Sequence, residues 1–140
     1  MIKRIDHTTI TVRNLERSIN SYTRLLGFTF DHEMWIPESG LRIVFLRLGD
    51  TMLELFGVSE TRGEMISHVN EVIGYKHIGL LVDSVDHEYD RLVHAGVHFR
   101  IPPATIQEAV RIAFFNDPDG IDIELLEYLT RSSPARKART

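Results

Sequence analysis

Two stretches of the chain, IDHTTITVRNLERSINSYTRLLGFTF (Ile5 to Phe30) and YKHIGLLVDSVDHEYDRLVHAGVHF (Tyr75 to Phe99), read as one piece of architecture written twice. Each begins with a histidine, His7 or His77, in a short strand-like run that ends at Val12 or Val82. Asn14 or Ser84 then offers a side-chain oxygen to the unpaired amides of a first helical turn. Apolar residues recur at helical spacing: Leu15, Ile19, Tyr22, Leu25 and Leu26 in the first copy, Val85, Tyr89, Leu92 and Val93 in the second. Each helix meets a glycine, Gly27 or Gly96, suited to a left-handed cap, and a new strand follows.

The remainders of the two halves also correspond. LRIVFLRLGDTMLELFG (Leu41 to Gly57) divides into two strands at Gly49-Asp50, and VRIAFFNDPDGIDIELLEY (Val110 to Tyr128) divides at Asp117-Pro118-Asp119-Gly120. In the second turn proline presets one backbone angle and glycine supplies a positive one. Each half is therefore strand, helix, strand, strand, strand. The pattern predicts an α+β fold of two tandem βαβββ modules, about 3–58 and 75–128, within a single domain spanning 1–130. The connector, 59–74, has room for a short helix. Residues 131–140, RSSPARKART, read as a basic, disordered tail, because serine, proline and charge build no core.

Composition narrows the function classes. The chain has 140 residues, 43% apolar and 26% charged, the balance of an ordinary globular protein. It has no cysteine, which removes disulfides and thiolate chemistry and fits a cytoplasmic location. No apolar run approaches a membrane span, and MIKRIDHTTITV enters a strand pattern with no apolar leader. The net charge is −4; without the tail's Arg131, Arg136, Lys137 and Arg139 the body stands at −8, which argues against a nucleic-acid groove on the fold. Phosphate-cradling glycine loops and nucleophile elbows are absent.

Strand parity separates two faces. Ile10 and Val12 oppose His7, Thr9 and Thr11; Leu53 and Leu55 oppose Glu54; Ile121, Ile123 and Leu125 oppose Asp122 and Glu124. The aliphatic face packs under the helices, and the polar face lines a concavity. On that face the spacing repeats: 47 positions separate His7 from Glu54 and His77 from Glu124. A lone strand histidine is ordinarily a hydrogen-bonded structural residue, and a lone outward glutamate is ordinarily solvated. Four such residues at matched positions of matched modules instead suit a divalent cation: two neutral imidazoles and two carboxylates balance its charge and leave octahedral positions open.

The tandem modules, with DHTTITVRNLERSINSYTRLLGF, LGDTMLELF, KHIGLLV and NDPDGIDIELLE, resemble the vicinal oxygen chelate superfamily over about residues 3–128. That superfamily contains glyoxalase I, methylmalonyl-CoA epimerase, extradiol dioxygenases, fosfomycin-resistance transferases and bleomycin-binding proteins. The resemblance implies a cup-shaped, eight-stranded mixed sheet, a homodimer, a small-molecule substrate, and a metal ion (Ni, Co, Zn, Mn or Fe) held by His7, Glu54, His77 and Glu124. Glutamate at the place of Glu54 resembles glyoxalase I, and the epimerase is close. Extradiol dioxygenases and fosfomycin transferases use a two-histidine, one-glutamate set, matched here by His7, His77 and Glu124. Bacterial glyoxalase I generally has an arginine four residues after its first histidine, helping to hold glutathione; this chain has Thr11 there.

The resemblance thus implies a metal-dependent isomerase or lyase of the glyoxalase I type. It removes a proton beside a carbonyl through an enediolate, with Glu124 as base and Glu54 as its symmetric partner. The alternatives are an extradiol-type dioxygenase and a non-catalytic small-molecule binding protein of the drug-resistance kind. Parity and nearness put Met52, Phe56 and Asp122 beside the ligands, with Arg111 on the same wall. Arg42 and Arg111 suit a substrate carboxylate or phosphate, although the ordinary reading of each is a cross-strand ion pair. Trp35 is either a gate to the cup or an ordinary surface residue. His32 and His68 have no matched partner; His87, His94 and His98 read as surface or structural residues.

Overall fold

The computed structural model describes residues 1–66 and 68–129. The basic tail lies outside them. The chain divides into two compact units, Met1–Glu64 and Met65–Thr140, with the division inside the expected connector. The described residues of that connector form bends and turns, without the short helix its length allowed. Among the described residues no helix is long and apolar enough to cross a membrane.

The first unit runs β1 (His7–Val12), α1 (Leu15–Asn20), β2 (Thr29–Ile36), β3 (Leu41–Leu48) and β4 (Thr51–Gly57). The second runs β5 (His77–Leu81), α2 (Val85–His94), β6 (Phe99–Ile106), β7 (Val110–Asn116) and β8 (Asp122–Tyr128). The eight expected strands are thus present, four in each unit. Sheet order is β1-β4-β3-β2 in one and β5-β8-β7-β6 in the other. In each, the first strand pairs in parallel with the last and the other contacts are antiparallel, so both sheets are mixed.

The predicted helix signals act as expected. The Asn14 side chain accepts from Arg17 N at 2.9 Å, and Ser84 Oγ accepts from His87 N at 3.2 Å. Gly27 and Gly96 adopt φ of 77° and 90°, a region where a side chain would be strained. One detail departs from the pattern: α1 gives way to a π-helical turn over Ser21–Leu25. This turn carries the fully buried Tyr22, whose ring meets Phe28 edge-on at 5.5 Å.

The aliphatic faces pack under these helices. Val12, Val44, Leu46, Leu53 and Leu55 are buried with Leu15 and Tyr22 in the first unit. Ala113, Phe115, Ile123 and Leu125 are buried with Val85 and Leu92 in the second. Val93, expected in the apolar stripe of α2, is 42% exposed because it sits at the stripe's edge, a quarter-turn round from Leu92.

Leu92 is the only residue of α2 besides Val85 that is fully enclosed. Leu92→Ala is expected to lower unfolding stability by about 2–5 kcal/mol through lost burial and a residual cavity. Urea denaturation followed by circular dichroism measures it.

Candidate functional site

Strand register decides which side chains meet. Parallel pairing sets Thr9 opposite Glu54 and His7 opposite Met52. Antiparallel pairing extends the row to Phe45 on β3 and His32 on β2. Residues directly across from one another share a face, so His7, Thr9, Met52, Glu54 and Phe56 all lie opposite the helix-packed side. The second unit repeats this: Gly79 stands opposite Glu124, His77 opposite Asp122, and Glu124 opposite Phe114.

Each unit brings one predicted histidine to one predicted glutamate. His7 Nε2 lies 2.9 Å from Glu54 Oε2, and His77 Nε2 lies 3.0 Å from Glu124 Oε2. An aromatic ring backs each pair: Phe45 meets His7 edge-on at 6.1 Å, and Phe114 meets His77 edge-on at 5.2 Å. Among the described residues, no three His, Asp or Glu side chains form a group arranged to hold a metal ion.

The surroundings of the two pairs differ. His7 Nδ1 lies 3.1 Å from Asp6 Oδ2. A carboxylate only accepts, so Nδ1 carries the proton. That hydrogen bond holds the Asp6 carboxyl below its usual range. Nε2 faces a second carboxylate, Glu54, so both ring nitrogens of His7 have a carboxylate beside them. The Thr9 hydroxyl also donates to Glu54 Oε2, at 2.7 Å. His77 Nδ1 has no partner among the described residues. Glu124 is bordered by Gly79, where an added Cβ would sit 3.4 Å from its Oε2. The Glu54 side chain is 10% exposed and that of Glu124 17%.

Imidazole nitrogen and carboxylate oxygen are donors that a divalent cation accepts, and their spacing, that of a hydrogen bond, is also compatible with one. Two ligand atoms at adjacent octahedral positions, each about 2.1 Å from a metal, lie about 3 Å apart, which is the spacing seen in each pair.

With this geometry in view, comparison with known proteins is decisive for family. Residues 4–125 match the model of the Glyoxalase/Bleomycin resistance protein/Dioxygenase superfamily. The chain belongs to this superfamily. The chain is 29% identical over 125 residues to the lactoylglutathione lyase of Escherichia coli O157:H7, covering 89% of this chain and 92% of the relative. It superposes on the crystal structure of a glyoxalase family protein from Enterococcus faecalis with a TM-score of 0.77 at 28% identity, covering 89% and 98% of the two chains. The trypanothione-dependent glyoxalase I of Leishmania major superposes with a TM-score of 0.69 at 31% identity, covering 90% and 87%.

In this member of the glyoxalase superfamily, Met52 and Phe56 share the Glu54 face, as parity predicts. Asp122 shares the Glu124 face, but it is 3% exposed and already engaged. Its Oδ1 accepts from Asn116 Nδ2 at 2.7 Å and its Oδ2 from Arg100 Nη2 at 2.7 Å. Arg111 is a correction. Register pairs it with Glu127, on the helix side of β8 and away from Glu124. There it makes a bidentate pair with Asp86 of α2, both contacts at 2.6 Å. Arg42 likewise faces α1, pairing with Glu33 at 2.8 Å and Glu16 at 3.4 Å. Trp35, opposite Arg42 in the register, is also off the Glu54 face.

Sequence reading missed several polar-face residues. His32 stacks flat on Phe45 with centroids 4.1 Å apart and pairs with Asp31. Arg47 bonds Asp31 at 3.0 Å, and Arg100 lies 5.5 Å from the centre of the Phe114 ring. Asp31 and Arg100 escaped notice because each occupies a register break, Phe30/His32 in β2 and Phe99/Ile101 in β6, which defeats simple alternation.

The Arg111 pair yields a prediction. The hydrogen bond from Arg111 holds the Asp86 carboxyl below its ordinary 3.8, so the stabilisation is complete above that pH and fades as pH falls through the lowered value. Asp86→Asn is expected to lower Tm at neutral pH, with the gap from wild type closing below pH 3.8. Thermal melts across that range measure it, and cation affinity should not move.

Proposed function

We propose that this protein is a metal-dependent isomerase or lyase of the glyoxalase I type, with His7, Glu54, His77 and Glu124 as its metal ligands. The carrying observation is the duplicated contact: His Nε2 to Glu Oε2 at 2.9 Å in one unit and 3.0 Å at the matching place in the other. Kinship with lactoylglutathione lyases at 29% identity supports the reaction class.

A bound divalent cation stabilises negative charge as it develops on substrate oxygens. The remaining work falls to this chain's residues. Glu124, the more exposed carboxylate of the two, takes the proton from the carbon beside the carbonyl and returns it to the neighbouring carbon. His7, with its Nδ1 proton directed to Asp6, presents Nε2 as a donor of its lone pair. Phe45, Phe114, Met52 and Phe56 supply apolar surface beside the reacting atoms on their respective sheets. Asp122 acts by holding Arg100. The resemblance to bacterial glyoxalase I implies an arginine for glutathione at the place of Thr11; with threonine there, the thiol or thioester carrier is open to other chemistry.

The test is metal analysis and activity. The apo protein is reloaded with Ni, Co, Zn, Mn or Fe and assayed on methylglyoxal–thiol adducts and acyl-CoA epimers. Expected are stoichiometric metal, activity lost on chelation, and metal lost in His7→Ala and His77→Ala. Glu124→Gln should lose about 100-fold or more in kcat while remaining folded. Retained isomerisation by Glu124→Gln removes its assigned role. Chelator-insensitive ligand binding without turnover identifies a binding protein, and oxygen uptake with Fe(II) identifies a dioxygenase.

A further inference from the structure

The two half-sites match in backbone and in their histidine–glutamate contact, yet their supports differ at both members. In the first unit each member is braced from behind. Asp6 Oδ2 takes up His7 Nδ1 at 3.1 Å, and the Thr9 hydroxyl donates to Glu54 Oε2 at 2.7 Å. Both contacts on Glu54, from Thr9 and His7, fall on one oxygen, and Oε1 has no hydrogen-bond partner among the described residues. In the second unit both braces are missing. Lys76 stands where Asp6 stands, and its ammonium turns to the Val69 carbonyl at 2.8 Å. Gly79 stands where Thr9 stands, opposite Glu124 in the register as Thr9 is opposite Glu54. It offers Glu124 neither a hydroxyl nor side-chain bulk.

We infer that Thr9 is a positioning residue that would hold Glu54 in the orientation of a metal ligand, and that Gly79 leaves Glu124 unbraced and free to turn as a base. This deepens the reading of the site as a metal-dependent proton-transfer centre and rests on it. The physical basis is the distinct demand on the two carboxylates. A ligand gains from being held in one orientation by an outer hydrogen bond, because less freedom is lost on binding. A base must turn toward the carbon whose proton it takes, so a hydrogen bond that pins it slows the step. The duplicated backbone would treat both glutamates alike; the side chains two positions after each histidine separate them.

Three variants test this: Thr9→Val, Thr9→Ser and Gly79→Thr. Valine keeps the shape of threonine without the hydroxyl, and serine keeps the hydroxyl. At Gly79 an added Cβ sits 3.4 Å from Glu124 Oε2, so a side chain there touches the carboxylate, and threonine brings to it the hydroxyl that Thr9 gives to Glu54. Calorimetric titration with Ni(II) alone reads the first arm. Thr9→Val should bind the ion about tenfold more weakly than wild type, and Thr9→Ser should restore affinity to within about twofold. Gly79→Thr should bind Ni(II) at least as tightly as wild type, yet lose about tenfold or more in kcat with KM little changed.

Wild-type affinity in Thr9→Val, or wild-type kcat in Gly79→Thr, overturns the inference while leaving the metal site intact. A wild-type protein that binds no Ni(II) overturns the site reading itself, and the inference with it. Equal weakening in Thr9→Val and Thr9→Ser also overturns it, since the effect then follows packing and not the hydroxyl.

Discussion

Parallel pairing between the first and last strands of each unit is the constraint on which the rest depends. β1 and β4, or β5 and β8, are far apart in the chain and become neighbours only after a helix and two more strands have been laid down. Their register carries Glu54 to Thr9 and Glu124 to Gly79, within reach of the histidine two residues earlier on the same face. A slip of one residue would turn Glu54 into the aliphatic layer and expose Leu53 and Leu55. The helix-side burial of those leucines holds the register, and the register in turn aims the glutamates. Core packing and site geometry are therefore two faces of one arrangement.

Burial sharpens the demand on Glu54. At 7% residue exposure it is among the few buried charged residues, and a carboxylate there is costly unless it is hydrogen-bonded. Thr9 and His7 meet that demand. Asp122, the second unit's most enclosed carboxylate on the same face, is met by Asn116 and Arg100. Buried acids in both units thus stand on specific partners rather than on solvent.

The duplication is closer in backbone than in chemistry. Each unit has a register break in the strand after its helix, and a charged residue occupies it: Asp31 in one, Arg100 in the other. Asp31 pairs with Arg47 of β3, whereas Arg100 pairs with Asp122 of β8. Both sheets carry an acid–arginine pair on the histidine face, with the sign at the bulge reversed. Strand pairing constrains the main chain through hydrogen bonds that every residue type supplies, while side-chain tips on an open face are free to diverge.

Much was legible in the sequence because it depends on local chemistry. Capping at Asn14 and Ser84, the left-handed glycines at 27 and 96, the helical spacing around Leu15 and Leu92, and strand alternation around Glu54 and Glu124 each follow from a few neighbouring residues, and two copies of the pattern reinforced one another. The equal histidine-to-glutamate spacing was visible for the same reason. What was hidden depends on partners remote in sequence. Arg111 belongs to α2 because Asp86 waits there, and Arg100, Arg47 and His32 join the polar face only through bulges and cross-strand neighbours. Sequence alone thus determined the duplicated architecture and the two histidine–glutamate couples, since backbone propensity and periodicity are properties of short segments. Only tertiary structure decided which carboxylate is clasped by a hydroxyl and which arginine faces the site, since those choices arise where distant strands are brought side by side.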